Sequence, residues 1–224
     1  TSPSGAQISA SGVITWTPSE AQGPSTNTFT TRVVDNGSPA LASTNTFTVT
    51  VNEVNVAPVL APLTNVSVLA GRTLNITNTA ADADLPAQTL TFQLSNAPVG
   101  MTLDPASGRI SWRPSMAQAG TTNTVGVRVA DNGTPVLADS KSFSVIVLKP
   151  APPLLTEPSC SNGCFSFSVT GDRGPDYVIE CSPAVSPAVW VPLTTNFSPA
   201  VPFRCNLPAL TNGNNNSFRV RLAP

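Results

Sequence analysis

The sequence predicts an all-β protein built from tandem β-sandwiches, and three observations carry that prediction. Apolar and hydroxyl residues alternate with a period of two, a block of residues recurs at a fixed offset, and Pro, Gly and Asn interrupt the chain at short intervals. A sustained 3.6-residue apolar stripe is absent from the sequence, so helices are not expected.

The alternation is clearest where Phe47, Val49 and Val51 are interleaved with Thr46, Thr48 and Thr50. Val125, Val127 and Val129 are interleaved with Thr124, Gly126 and Arg128 in the same way. Successive side chains of a strand point to opposite faces, so each run reads as a strand with one buried and one wet face. The recurrence is at 96 residues: Trp16 and Trp112, Ile14 and Ile110, Pro18 and Pro114, Gln22 and Gln118, Arg32 and Arg128, Phe47 and Phe143 all share that offset. The segments Asp35-Asn36-Gly37-Ser38-Pro39 and Asp131-Asn132-Gly133-Thr134-Pro135 fall in the same register. Their Asn-Gly pairs are expected to take the positive φ angles of tight hairpin turns.

Composition narrows the function. With 40% hydrophobic residues and a net charge of −1, 224 residues suffice for two or three small folded domains rather than a disordered chain. Only 10% of residues are charged, 11 basic against 12 acidic, with no basic cluster, so no nucleic-acid partner is expected. An uninterrupted apolar run of about 18 residues, which membrane insertion would need, is not found. With no His in the sequence, Ser–His and Cys–His nucleophilic sites and mixed His–Cys zinc sites are excluded. A carboxylate pair for glycoside hydrolysis is the enzymatic chemistry left, but nearly every Asp sits in a turn that explains it. The chain reads as non-enzymatic.

From Gly100 the sequence runs Gly-Met-Thr-Leu-Asp-Pro-x-x-Gly-x-Ile-x-Trp-x-Pro, and later, at 129–135, Val-Ala-Asp-Asn-Gly-Thr-Pro. These motifs resemble the dystroglycan-type cadherin-like and Putative-Ig repeats of bacterial surface proteins. The resemblance implies Ig/cadherin-like sandwiches, an extracellular or cell-surface location, and roles in display, adhesion or scaffolding. The expected domains are 1–53, the second half of such a repeat; 54–149, a complete repeat; and 150–224, a module resembling one found at the carboxyl terminus of large secreted bacterial proteins. Five short strands are expected in that module, at 163–170, 177–181, 190–195, 202–207 and 218–222, entered through a stiff linker at Pro150, Pro152 and Pro153. Residues 55–96 carry strands with no counterpart before Thr1, so the first repeat reads as half a sandwich and the chain as the last portion of a longer polypeptide.

The resemblance also implies calcium. Cadherin-type repeats bind it at junctions, through an acid of the first domain, linker oxygens and an Asp-x-Asp plus a later Asp of the second domain. The corresponding residues are Glu20; Asn52, Glu53 and Asn55; Asp82 and Asp84; and Asp131. Calcium takes six to eight oxygens, which is why several loops contribute. The alternative is that Asp82 and Asp84 are loop residues and Asp131 a turn former. At the second junction Met116 stands in the register of Glu20 and Val147 to Pro150 offer no carboxylate, so no calcium is expected there.

All four cysteines lie in the last module. Cys160 and Cys164 flank Ser-Asn-Gly, and Cys181 and Cys205 occupy strand patterns, which favours disulfides 160–164 and 181–205 among three pairings; buried free thiols are the alternative. Trp16, Trp112 and Trp190 read as core residues, and Asn36, Asn65, Asn75, Asn132, Asn196 and Asn215 begin Asn-x-Ser/Thr sequences. The leading functional reading is a structural or adhesive segment of a long surface repeat protein, part of a layer or filament, whose partners are preceding repeats or neighbouring copies, with surface glycans as further ligands. The alternative is a carbohydrate-binding accessory region of a secreted enzyme.

Overall fold

The computed structural model describes residues 1–161, 164–183, 188–208 and 216–223. Gly163, expected to open a strand, and Asn215 lie outside the described residues. The described regular elements are strands, with two short 3-10 turns at Glu20–Gln22 and Met116–Gln118. The class is all-β, as the period-two pattern requires.

The first repeat contributes β1 (Gln7–Ile8), β2 (Ile14–Thr15), β3 (Ser25–Val34) and β4 (Ala42–Val51). β3 and β4 pair antiparallel along their whole length, with Phe29 opposite Phe47 and those rings stacked at 5.1 Å. Trp16 packs edge-on against Phe29 at 5.5 Å and donates from Nε1 to the Ser4 carbonyl. Trp16 is half-buried, not enclosed as expected; among the described residues the sheet it packs against is the two-stranded β3–β4 pair.

The second repeat contains β5 (Val59–Leu60), β6 (Val66–Leu69), β7 (Leu74–Thr77), β8 (Ala80–Ala81), β9 (Thr91–Asn96), β10 (Thr102–Leu103), β11 (Arg109–Trp112), β12 (Thr122–Ala130) and β13 (Ala138–Leu148). A three-stranded sheet, β10-β11-β7, faces a four-stranded one, β6-β13-β12-β9. Between them Ile110, Trp112, Val125, Val127, Val129, Phe143, Val145 and Val147 are buried, so the inward face of each alternating strand is the core. β6 pairs parallel with β13, Val66 opposite Val145 and Val68 opposite Val147.

The Asp-Asn-Gly-x-Pro turns are built differently from expectation. Neither Asn-Gly pair has positive φ. Instead the loops run from 35 to 41 and from 131 to 137, and the Asp carboxylate at the start of each accepts two backbone N–H bonds: Gly37 and Leu41 donate to Asp35, Gly133 and Leu137 to Asp131. The leading Asp, acting as an Asx-type acceptor, sets the turn.

Among the described residues the last module is a sandwich of six strands: β14 (Leu154–Ser161), β15 (Cys164–Thr170), β16 (Tyr177–Ser182), β17 (Val191–Asn196), β18 (Phe203–Pro208) and β19 (Ser217–Leu222). Its sheets, β14-β15-β18 and β17-β16-β19, enclose Phe167, Val169, Tyr177, Ile179 and Cys205. β14 is a sixth strand beyond the five expected; Pro158 hid it, and the chain accommodates that residue at a register shift between Thr156 and Ser159, with Glu157 at φ +49°. Glu180 on β16 is buried and held by Arg219 at 2.6 Å and Arg221 at 2.8 Å. Trp190, expected in the core, is half-buried with the Arg219 guanidinium 4.4 Å over its ring.

The four thiols are free in the structure, and neither expected disulfide is formed in it. Cys160 pairs with Phe165 and Cys164 with Ser161, so the two cysteine side chains project from opposite faces of the hairpin. Cys181 belongs to the β17-β16-β19 sheet and Cys205 to β14-β15-β18, where Cys205 fills core space beside Phe167 and burial raises its thiol pKa.

Contacts group the residues into two compact units. One comprises 1–59, 80–90 and 130–139; the other comprises 60–79, 91–129 and 140–224. The first unit therefore holds the first repeat, the linker and two loops of the second repeat, and these supply every residue in the expected calcium set.

Candidate functional site

Three acidic residues from three segments of the first unit converge. Glu20 lies on the 3-10 turn, which Ser19 starts by donating its N–H to Gln22 Oε1 at 2.9 Å. Glu53 lies in the linker after β4, and Asp84 lies in the loop after β8. One carboxylate oxygen from each lies within 4.8 Å of the others. Oxygens bound to a single calcium at about 2.3–2.6 Å are at most about 5 Å apart, so this spacing is that of one ion's coordination shell.

Asp84 is buried and fixed by the backbone: Val56 N–H donates to both its oxygens, at 3.0 and 3.2 Å. Its own N–H donates to Asp82 Oδ1 at 3.0 Å, which positions the neighbouring carboxylate. Glu53 Oε1, Asp82 Oδ2 and Gln88 Oε1 are buried oxygens with no hydrogen-bond partner. Unpartnered buried acceptors are costly, and a cation that accepts their lone pairs removes the cost. Burial raises the Glu53 pKa, and the carboxylates of Glu20 and Asp84, together with the hydrogen bond to Glu20, raise it further.

Two expected ligands serve another purpose. Asp131 is enclosed by donors: Gly133 and Leu137 N–H on Oδ1, and the Asn55 amide on Oδ2 at 3.0 Å. Burial acts to raise its pKa, but the bonds from Leu137, Asn55 and Gly133 prevail and hold it below the ordinary value. Asn55 also donates to the Pro135 carbonyl at 2.9 Å, and Gln88 donates to Asn55 Oδ1. A Cβ on Gly133 would lie 1.9 Å from Asn55 Oδ1, so glycine is what lets the linker amide reach the loop. Asn52 is exposed and outside the carboxylate group.

Gln88 is the residue that sequence reasoning missed. It bridges the halves of the site, donating from Nε2 to Asp84 Oδ2 at 2.8 Å as well as to Asn55. Four residues beyond Asp84 in a loop, it carries no pattern that marks it.

Residues 57–148 match the family described as Putative Ig domain. This segment is therefore Ig-like in sequence. No curated protein matches the chain. Among solved structures, repeats EC22–24 of mouse cadherin-23 are 15% identical, cover 98% of this chain and 81% of that one, and give a TM-score of 0.51. Protocadherin GammaB4 extracellular domain is 20% identical over 70% of this chain, with a TM-score of 0.45, and mouse clustered protocadherin PcdhgC3 EC1-3 is 16% identical over 64%, also at 0.45. The chain spans 28% of the former and 51% of the latter. The cadherin-23 likeness supports the fold alone: the Ig-like repeat lies in a chain with tandem cadherin-like architecture.

Proposed function

We propose that residues 1–224 are a non-enzymatic structural or adhesive segment of an extracellular repeat protein, whose first junction is stiffened by one calcium ion. The observation that carries this reading is the convergence of Glu20, Glu53 and Asp84 beside the unpartnered Glu53 Oε1 and Asp82 Oδ2. Three carboxylates so close repel one another, and a divalent cation converts that repulsion into a link between the first repeat, the linker and the next Ig-like repeat. Hard oxygen donors without sulfur or imidazole suit calcium rather than a transition metal.

The tryptophans do not favour a carbohydrate-binding role. Trp112 is buried, the Trp190 ring is covered by Arg219, and Trp16 is packed against Phe29.

Calorimetry of the whole chain tests the proposal. An ion that binds only the folded site stabilises by mass action, about 2.7 kcal/mol at 100 times its dissociation constant. Millimolar calcium should therefore raise the melting temperature of the first unit, and Glu53→Gln or Asp84→Asn should abolish the rise. A midpoint indifferent to calcium would sink the reading.

A further inference from the structure

We propose that Arg113 acts as a built-in cation that locks the Ig-like repeat to the carboxyl-terminal module, so that this second joint needs no metal ion. Arg113 follows β11 directly, and its guanidinium is held by five oxygens. Nε donates to the Gly71 carbonyl at 2.7 Å; Nη2 donates to the Gly174 carbonyl at 3.0 Å, Asp176 Oδ1 at 2.8 Å and Ser198 Oγ at 3.0 Å; Nη1 reaches Asp176 Oδ2 at 3.4 Å. Gly71 belongs to the Ig-like repeat, and Gly174, Asp176 and Ser198 to the last module. A fixed positive charge thus gathers oxygens from both domains, as a bound cation would, and the planar fork adds direction that a point charge lacks.

The oxygens are themselves preorganised. Ser198 N–H donates to Asp176 Oδ1 at 2.8 Å and Ser198 Oγ donates to the Gly174 carbonyl at 2.8 Å. Ser198 is held at φ +40°, a conformation that non-glycine residues seldom adopt and that the surrounding bonds must impose. Below the guanidinium the two backbones touch. A Cβ on Gly71 would sit 2.7 Å from Pro175 Cα, and one on Gly174 2.7 Å from Arg72 Cβ. The missing side chains of Gly71 and Gly174 are what let the two segments approach this closely.

The internal register sharpens the case. Thr17 occupies the position of Arg113 in the first repeat, and Met116 occupies that of Glu20 in the second. At these two register positions the first repeat presents an acid and no arginine, whereas the second presents an arginine and no acid. The two positions have exchanged a carboxylate that calls for an external cation for a side chain that is one.

Calorimetry and hydrogen exchange of the full chain in excess EDTA test this. Wild-type protein should melt the Ig-like repeat and the last module in one step, with β12 and β16 protected alike. Arg113→Met should split that step, lowering the last module's transition by about 5 °C and speeding β16 exchange. Asp176→Asn, placed in the other domain, should reproduce the effect, and the double variant should add nothing to either alone. Arg113→Lys, which keeps the charge and loses the fork, should fall between. A single step surviving in both Arg113→Met and Asp176→Asn would overturn the proposal, as would EDTA alone splitting the wild-type step.

Discussion

Val33 and Val129 stand 96 residues apart on equivalent strands, yet Val33 is 70% exposed and Val129 fully buried. Phe47 and Phe143 repeat the contrast, 38% against 4% exposed. Strand chemistry decides which face is apolar, but whether that face becomes core depends on strands from elsewhere in the chain. In the Ig-like repeat β6 and β9 flank the β12–β13 pair and β7 lies in the facing sheet; among the described residues, β3 and β4 have no such neighbours. Burial is a property of the assembled sandwich, not of the strand.

The largest expected effect uses the tryptophans. Trp112→Ala should destabilise its repeat by about 4 kcal/mol, because a wholly buried indole leaves a cavity the sheets cannot close. Trp16→Ala, at a half-buried site open to water, should cost about 1–2 kcal/mol. Urea melts of the two variants read the difference; equal losses would mean that the first repeat is as well packed as the second.

A smaller contrast separates the two Asp-Asn-Gly loops. Gly133→Ala must displace the Asn55 amide and lose its bonds to Asp131 and Pro135, at about 1–2 kcal/mol. Gly37→Ala meets nothing closer than Asp35 Oδ1 at 3.2 Å and should change stability by about 0.5 kcal/mol. Calcium response should also weaken in Gly133→Ala alone, since Asn55 and Asp84 share Gln88.

The smallest effect is the response to pH, and it has opposite signs in the two units. Without calcium, Glu53 has a folded pKa above its ordinary 4.5, so the folded state holds more protons and the first unit should gain stability as pH falls from neutral toward 4.5. Hydrogen bonding from Arg221 leads the effects that outweigh burial and hold the Glu180 pKa below 4.5, so its contribution is complete above 4.5 and is lost as pH falls through its folded value. Melting temperatures taken from pH 7 down to 3 should therefore rise and then fall for the first unit as Asp35 and Asp131 protonate, and only fall for the last module. Saturating calcium should remove the initial rise.

Much of the fold was legible because it rests on local chemistry: the valine alternation of β12, the 96-residue register and the absence of helical periodicity. The Glu20, Glu53 and Asp84 part of the site was legible through a family resemblance. What remained hidden depends on three-dimensional register. Nothing local reveals that Cys160 and Cys164 point to opposite faces, that Trp190 lies under Arg219, or that Asp131 is enclosed by donors rather than left open for a metal. The β14 strand was hidden by Pro158, and no local pattern marks Arg113, whose surroundings of Gly71, Asp176 and Ser198 come from distant parts of the chain.

The parallel pairing of β6 with β13 has a mechanical consequence. Tension along the chain enters the Ig-like repeat before β6 and leaves after β13, pulling two strands that run the same way toward opposite ends. Their four residue pairs, from Val66 with Val145 to Leu69 with Leu148, are then loaded in shear and must yield together, whereas the antiparallel β3–β4 hairpin can be unzipped from its open end one bond at a time.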